Sequence, residues 1–304
     1  QVRQDQSKCM CAANLGSKSQ RWSSKFRISS RAEGAGRVVR VIAVANQKGG
    51  AGQTTTTVNV AAALGELGQH VLVVDLDPQG NATQALGLSR MPSDVTIYDV
   101  LIDGTPLDHT VVETRVKGVA CVPASVDLAG AEVELVSEEG REQRLKQALE
   151  ASELRNDTIV LIDCPPSLGL LTVNALTSAD ELFVPIQAEF YALDGVGQLI
   201  RTMELVRSAL NPSLQISMVA MTMVGPSTLA QDQVFDEVQA FFDERLAPTS
   251  IPRDPAAHAA PATGSTVLAF APDSMVASAY RQLAKELLAA ELKTVAPTSQ
   301  NGDK

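Results

Sequence analysis

The stretch NQKGGAGQTTTT, from Asn46 to Thr57, decides the fold. It follows the apolar run RVVRVIAVAN (37–46), which is typical of a buried strand, and it leads into a helical pattern over 53–67. A glycine-rich turn between a strand and a helix lets backbone N–H groups point at phosphate oxygens. The helix N-terminus adds the positive end of its dipole. The stretch therefore predicts a phosphate-binding loop.

One residue of this loop departs from the expected chemistry. A P-loop places a lysine beside the β- and γ-phosphates, and the hydroxyl residue that follows holds Mg²⁺. Thr54 supplies the hydroxyl, whereas Gln53 stands at the lysine position and carries no charge. The residues of this stretch predicted from the loop chemistry to contact nucleotide are Gly49, Gly50, Ala51, Gly52, Gln53, Thr54 and Thr55.

Short apolar runs alternate with helical patterns along the rest of the chain. This alternation predicts an α/β fold of the P-loop NTPase class, a mostly parallel twisted sheet with helices on both faces. The further predicted strands are 70–77, 118–124, 158–166, 181–187 and 214–223. The further predicted helices are 128–136, 141–153, 168–178, 193–210, 233–242 and 274–292. The Pro- and Ala-rich stretch 247–265 is predicted to be a loop near the sheet edge.

Charge divides the chain into a basic leader and an acidic body. The whole chain has a net charge of -10, yet residues 1–40 hold nine Lys and Arg against Asp5 and Glu33. Residues 1–37 are therefore interpreted either as an organellar transit peptide or as a disordered basic tail. One domain is predicted over 38–293, and 294–304 is predicted to be a disordered tail.

Other classes of protein find little support in the sequence. No apolar run approaches the roughly 20 residues of a membrane span, so no membrane partner is expected. The four cysteines form no CxxC pair, which argues against a zinc site or a metal-cluster carrier. The acidic balance argues against broad DNA binding, which needs positive surface.

Several long motifs resemble the ParA/MinD family of ATPases, which is marked by a deviant P-loop, KGGxGKTT. They are KGGAGQTTT (48–56), VLVVDLDPQGNAT (71–83), IVLIDCPPSLGLLTVNAL (159–176), VPIQAEFYALDGVGQLIRTMELV (184–206) and SAYRQLAKELL (278–288). The DPQGN segment favours the ParA/Soj branch, which acts in chromosome partitioning. The resemblance covers nearly all of 38–292 and implies ATP and Mg²⁺ as cofactors. Because chains of this family are mainly bacterial, it also favours an organelle of bacterial descent, the plastid, as the destination of a transit peptide.

The resemblance also implies roles for individual residues. Lys48 would reach the partner's phosphates across an ATP-sandwiched homodimer, and Asp77 would position the attacking water. Asp163 would hold Mg²⁺ together with Thr54. Pro252 and Asp254 match positions that pack near the base, although Asp254 stands where asparagine is usual, which weakens the expectation of base recognition.

Two arginines that hold DNA in the family are replaced here. Ser227 and Ala256 stand at those positions, although Arg253 is kept. Weak DNA binding is therefore expected. An acidic face is suited to a basic activator peptide of the ParB type.

Two hypotheses remain open from the sequence. In the first, the chain is an ATPase that dimerises on ATP and positions DNA or a protein cargo. In the second, it is a non-catalytic module of the same fold that has lost hydrolysis and DNA binding. Lys48, Thr54, Asp77 and Asp163 favour the first. The residues that favour the second are Gln53, Ser227, Asp254 and Ala256.

Overall fold

The computed structural model describes residues 39–88, 95–189, 192–226 and 228–290. Its strands are β1 (Arg40–Val44), β2 (His70–Asp75), β3 (Val112–Glu113), β4 (Val119–Val122), β5 (Thr158–Asp163), β6 (Glu181–Gln187) and β7 (Gln215–Thr222). Its α-helices are α1 (Gln53–Glu66), α2 (Asn81–Ala85), α3 (Ile97–Ile102), α4 (Leu128–Glu134), α5 (Arg144–Ala151), α6 (Leu170–Ser178), α7 (Ala192–Ala209), α8 (Leu229–Phe242), α9 (Pro255–Ala262), α10 (Val267–Phe270) and α11 (Met275–Ala289).

The strands of the described residues form one sheet in the order β3-β4-β2-β5-β1-β6-β7. Every pairing is parallel except that of β3 with β4. Strands β2, β5 and β1 lie side by side, so their carboxyl ends meet at one edge of the sheet. Val44 of β1 and Asp75 of β2 both pair in register with Asp163 of β5. This edge is where a parallel α/β sheet binds its ligands.

Side chains of the central strand alternate between two cores, one on each face of the sheet. In β1, Ile42 and Val44 belong to one apolar cluster, whereas Ala43 belongs to the other. Helices α1, α2, α9, α10 and α11 bury side chains in the first cluster. Helices α3, α4, α5, α6, α7 and α8 bury theirs in the second. The predicted fold class, a mostly parallel sheet covered on both faces, is confirmed.

The predicted strands and helices all form, but the loop predicted over 247–265 is wrong in its second half, because Pro255–Ala262 is helix α9. The Asp254 carboxylate caps this helix by accepting a hydrogen bond from the Ala256 N–H (2.8 Å). Proline is favoured in the first helical turn, where its missing N–H has no intrahelical acceptor. The first half of the stretch does lie at the sheet edge, since Pro252 bridges Val224 beyond β7.

Several short elements carried too little pattern for prediction. They are β3, α2, α3 and α10, and the longest of them has six residues. The domain limits of 38 and 293 stay a prediction, because both residues lie outside the described ranges. Cys121 and Cys164 are buried free thiols.

Candidate functional site

The loop between β1 and α1 folds back on itself beside the sheet edge. The Ala51 N–H donates a hydrogen bond to the Lys48 carbonyl (3.2 Å). Gly50 and Gly52 have φ of 80° and 85°, a region that side chains disfavour. Nothing lies within 4 Å of the point where a Cβ of Gly50 would stand. The loop therefore leaves open space against its backbone, as a phosphate group requires.

The start of α1 faces the same space. No side chain of the described residues caps this helix, which begins directly after Gly52. The first N–H groups of a helix have no acceptor within the helix. Thr54 and Thr55 lie in this first turn, so the loop and the helix together offer N–H donors and hydroxyls to an anion.

Gln53 is buried and bonded to the loop itself. Its side-chain Nε2 donates to the backbone carbonyl of Asn46 (2.6 Å), and its exposure is only 7%. Asn46 is fixed in turn, because its Nδ2 donates to the Pro185 carbonyl (2.7 Å) and its Oδ1 accepts from the Lys48 N–H (3.1 Å). The Gln53 amide thus joins the two ends of the loop and places no charge in it.

Two threonines of α1 meet one buried carboxyl group. The hydroxyls of Thr54 and Thr57 each donate to Asp163, to Oδ2 and Oδ1 respectively, at 2.8 Å. Asp163 ends β5 and is completely buried. The structure therefore brings the two residues predicted to hold Mg²⁺, Thr54 and Asp163, into direct contact.

A second buried carboxyl group, Asp75, lies beside Asp163 at the end of β2. Its Oδ2 accepts from both the N–H (2.8 Å) and the hydroxyl (2.7 Å) of Thr83. Its Oδ1 accepts from the Asp77 N–H (3.2 Å). Asp75 thereby fixes the turn that contains Asp77. The sequence analysis did not predict this role of Asp75.

Asp77 stands at the beginning of that turn. Its carboxylate accepts from the Gln79 N–H (2.9 Å), and its carbonyl accepts from the Gly80 N–H (2.8 Å). The residue is 7% exposed. Asp77 is therefore nearly buried, in a turn after β2 that its own hydrogen bonds stabilise.

Burial and proximity shift the titration of the paired carboxyl groups. Burial, and then the neighbouring Asp75, raise the pKa of Asp163 to about 8, although the hydroxyls of Thr54 and Thr57 oppose the shift. Burial also raises the pKa of Asp75 to about 6, against hydrogen bonds from Thr83. Both pKa values are raised because burial and an adjacent negative charge make ionisation of a carboxyl group unfavourable. A divalent cation would favour the ionised form of Asp163.

Lys48 is paired with an acidic residue of the β6–α7 connection. Its Nζ lies 3.0 Å from Glu189 Oε2, and Arg253 Nη2 lies 3.5 Å from Glu189 Oε1. Gln187 Nε2 also donates to Glu189 Oε1 (2.6 Å). Glu189 thus forms ion pairs with both Lys48 and Arg253. Lys48 was predicted to reach a partner's nucleotide, and Arg253 was the arginine that the resemblance placed on a DNA-binding surface.

Of the remaining predicted residues, three lie beyond β7, at the bridge to Val224 and at the start of α9. Pro252 bridges Val224, and Asp254 is occupied as the cap of α9. Ala256 is half-buried in α9 and packs on the core. Ser227 lies outside the described residues.

The donor set fits a magnesium nucleotide. A hydroxyl and a carboxylate are the hard oxygen ligands that Mg²⁺ takes in nucleotide sites, where phosphates supply further oxygens. Thr54 and Asp163 would hold the ion, which would neutralise phosphate charge there. The described residues hold no group of three or more His, Cys, Asp or Glu able to bind a metal ion by themselves. Within the described part, no helix is long and apolar enough to cross a membrane.

Sequence reasoning missed Asp75, Thr57, Thr83 and Glu189. The alternation VVDLD carried a signal for Asp75, since two acids two residues apart after a buried strand face the same side. Thr57 lies one helical turn after Thr54, which was a readable spacing for a shared partner. The positions of Thr83 and Glu189 depend on tertiary packing and had no local signal.

Comparison with known proteins supports this geometry. Residues 39–216 match the sequence family described as "AAA domain". The chain is 45% identical over 250 residues to the sporulation initiation inhibitor protein Soj of Bacillus subtilis, covering 82% of this chain and 98% of Soj. It is 44% identical over 254 residues to the chromosome partitioning protein ParA of Caulobacter vibrioides, covering 83% of this chain and 95% of that protein.

A solved structure has a similar fold. The structure of cobyrinic acid a,c-diamide synthase from Mycobacterium smegmatis, with bound ATP analog and magnesium, aligns with this chain with a TM-score of 0.70 and 40% identity. The alignment covers 83% of this chain and 95% of that one. With the loop, the paired carboxyl groups and these relatives together, the chain belongs to the ParA/Soj family of P-loop ATPases.

Proposed function

We propose that this protein binds ATP with Mg²⁺ and acts as an ATP-dependent dimer switch in the partitioning or spatial positioning of DNA or a protein cargo. Its family supports this role, since the relatives include chromosome partitioning proteins. The solved relative that carries an ATP analog and magnesium supports the choice of ligands.

One observation carries the nucleotide proposal. The Thr54 hydroxyl lies 2.8 Å from the buried Asp163 carboxyl group, at the uncapped start of α1 and beside the open backbone at Gly50. A phosphate against the loop would bring its oxygens to the two side chains suited to hold Mg²⁺. Asp77 lies in the turn that follows β2 at the same sheet edge, where it would position water.

Nucleotide binding by the full chain tests the proposal directly. A fluorescent ATP analogue is titrated with and without Mg²⁺, using wild type, Thr54→Val and the matched control Thr105→Val, which lies away from the loop between α3 and β3. We expect Mg²⁺ to tighten binding by wild type and the control but not by Thr54→Val. Equal binding by all three, with no Mg²⁺ effect, would reject the site.

Dimerisation is tested separately by light scattering. In the proposal Lys48 completes the partner's nucleotide site. The molecular mass of wild type should therefore double when ATP·Mg²⁺ is added, whereas Lys48→Ala should stay a monomer. The variant should still bind nucleotide, because Lys48 would act on the partner's phosphates. Loss of binding together with loss of dimerisation would assign Lys48 to its own site instead.

A second candidate function is a non-catalytic module of the same fold. The observation that favours it is the Gln53 side chain, which is buried and committed to the Asn46 carbonyl (2.6 Å). A neutral amide leaves the β- and γ-phosphates without the usual lysine, so charge in the transition state is less well balanced. This module would bind nucleotide or a partner without turning over.

The partners we propose are a second copy of this chain and a basic activator peptide of the ParB type. Acidic groups on the body support a cationic partner. DNA is the weaker proposal, because Ala256 is packed in α9 and Arg253 lies against Glu189. Binding of a labelled Lys/Arg-rich peptide and of duplex DNA, measured side by side, separates the two.

The leader supports a proposal about location. Its basic, Ser-rich composition over 1–37 fits import into an organelle, and we propose the plastid stroma. A fluorescent protein fused after residue 60 should then accumulate in plastids and be shortened there. A fusion that stays in the cytosol at full length would favour the basic-tail interpretation.

A further inference from the structure

Two segments beside the acidic site residues contact α4 or the loop that leads into it. The first segment runs from Asp77 to Thr83 and follows β2. The second runs from Cys164 to Leu171 and follows Asp163. Leu128 and Ala131 of α4, and Leu135 directly after it, pack into the core, and each of these residues is at most 1% exposed.

The amino end of α4 is joined to the first segment through Thr83. The Thr83 hydroxyl donates to Asp75 Oδ2 (2.7 Å) and accepts from the Ala124 N–H (3.1 Å), four residues before α4 begins. Gly80 lies close by, since a Cβ there would stand 4.0 Å from the Ala124 carbonyl oxygen. This one hydroxyl connects the ends of β2 and β4, and its removal would take one hydrogen bond from the buried Asp75 carboxyl group and one from the partly buried Ala124 N–H.

The carboxyl end of α4 is joined to the second segment through Glu132. Its Oε1 accepts from the Leu171 N–H in the first turn of α6 (3.4 Å). A Cβ on Gly169 would stand only 2.0 Å from the same oxygen, so the carboxylate lies directly against the Gly169 backbone. A carboxylate at a helix N-terminus is stabilised by the helix dipole.

We infer that α4 and the loop before it link the segment that begins at Asp77 with the segment that follows Asp163, and that Thr83 and Glu132 are positioning residues for the site between them. Because α4 is packed as one unit, a displacement of either segment is passed to the other. The link itself rests on contacts within the folded chain. Its role in coordinating water and metal positions rests on the proposed function.

Hydrogen–deuterium exchange on the full chain, without nucleotide, tests the link. The variants are Glu132→Ala, Glu132→Gln, Thr83→Val and Thr83→Ser, with Glu139→Ala as the matched control on an exposed acid of the same region. We expect Glu132→Ala to speed exchange in 167–175 about fivefold, the effect of one lost hydrogen bond. Glu132→Gln, which keeps an acceptor, should recover most of the protection.

The cross effect decides the inference. Glu132→Ala should also speed exchange in 77–86, and Thr83→Val should speed it in 167–175, whereas Thr83→Ser and Glu139→Ala should resemble wild type. Exchange in β5 should stay unchanged in every variant. Effects confined to the mutated end would overturn the link and leave two local caps. Equal acceleration in β5 would also overturn it, since the variants would then act by global unfolding.

Repeating the measurement with ATP·Mg²⁺ separates this inference from the proposed function. If nucleotide slows exchange in both segments of wild type, the Thr83→Val and Glu132→Ala variants should lose the joint response while still binding nucleotide. If no nucleotide binds at all, the proposed function fails, and the cross effect in the free protein still decides the link.

Discussion

The side-chain amide of Gln53 donates a hydrogen bond of 2.6 Å to the backbone carbonyl of Asn46, seven residues earlier. The bond closes the phosphate-binding loop from within, because Asn46 begins the loop and Gln53 begins α1. It also fixes where the amide points. A residue that stands at the position of a phosphate-binding lysine is engaged with the backbone, and Lys48 at the other end of the loop carries the positive charge.

The first prediction concerns Gln53→Lys. A lysine would bring a charge to the β- and γ-phosphates, so we expect ATP turnover by the variant to exceed that of wild type by about 10²-fold, the cost of one missing transition-state donor. Steady-state phosphate release by the full chain measures it. Gln53→Met is the control of similar length, without charge or amide donor, and should be no faster than wild type. Equal turnover by wild type and Gln53→Lys would mean that Lys48 already balances the charge.

The second prediction concerns Glu189. Its carboxylate holds Lys48 at 3.0 Å, and both side chains are partly exposed. An exposed ion pair contributes up to about 1 kcal/mol, which is roughly a fivefold change in an equilibrium. We therefore expect Glu189→Gln to lower the ATP concentration needed for dimerisation by about two- to fivefold, which corresponds to the loss of one exposed ion pair. Light scattering across an ATP titration measures it.

The control for this prediction is Glu204→Gln, which removes an exposed acid from α7 without touching the loop. The Glu189→Gln effect should shrink as salt is raised, because ions screen exposed pairs. A dimerisation midpoint that is the same in Glu189→Gln as in Glu204→Gln would show that Glu189 does not restrain Lys48.

The loop and the residues proposed to hold Mg²⁺ were predictable from the sequence because their signals are local. A strand, a run of glycines and Thr54 in order define the loop, and Asp163 ends an apolar strand. The direction of the Gln53 amide was not predictable, since it depends on a backbone carbonyl brought near by the turn. Helix α9 was missed although Asp254 and Pro255 are a standard cap and first-turn pair, because the prolines of 247–265 outweighed them.

The third prediction concerns Asp163→Asn in the nucleotide-free protein. A carboxyl group whose pKa is raised to about 8 by burial, and then by Asp75, binds its proton more tightly in the folded state than in the unfolded chain. Stability therefore falls as pH rises from the ordinary carboxyl range of about 4 towards about 8. Asn resembles the protonated form, so thermal unfolding of the variant should depend less on pH in this window.

At pH 8.5, as a working value above the shifted range, the variant should melt several degrees above wild type, and near pH 5 the two should be close. Asp163→Asn should also lose any stabilisation by ATP·Mg²⁺, because the carboxylate proposed to hold the ion is gone. Parallel pH profiles for wild type and Asp163→Asn would show that burial of this carboxyl group does not control stability.

The last prediction concerns DNA. Phosphate contacts from Lys and Arg supply most non-specific DNA affinity, and each contact adds about 1 to the slope of log affinity against log salt. In this chain Arg253 lies 3.5 Å from Glu189, and Ala256 is half-buried in α9. We expect wild type to bind duplex DNA weakly with ATP·Mg²⁺, and the double variant Ser227→Arg/Ala256→Arg to bind tighter with a slope steeper by about 2. Fluorescence anisotropy at two or more salt concentrations measures both quantities.

Ala259→Arg, on an exposed position of α9, controls for added charge and should change the slope by less than the double variant does. If Ala259→Arg binds DNA as well as the double variant, charge alone would explain the gain, and positions 227 and 256 would have no special place on a DNA surface.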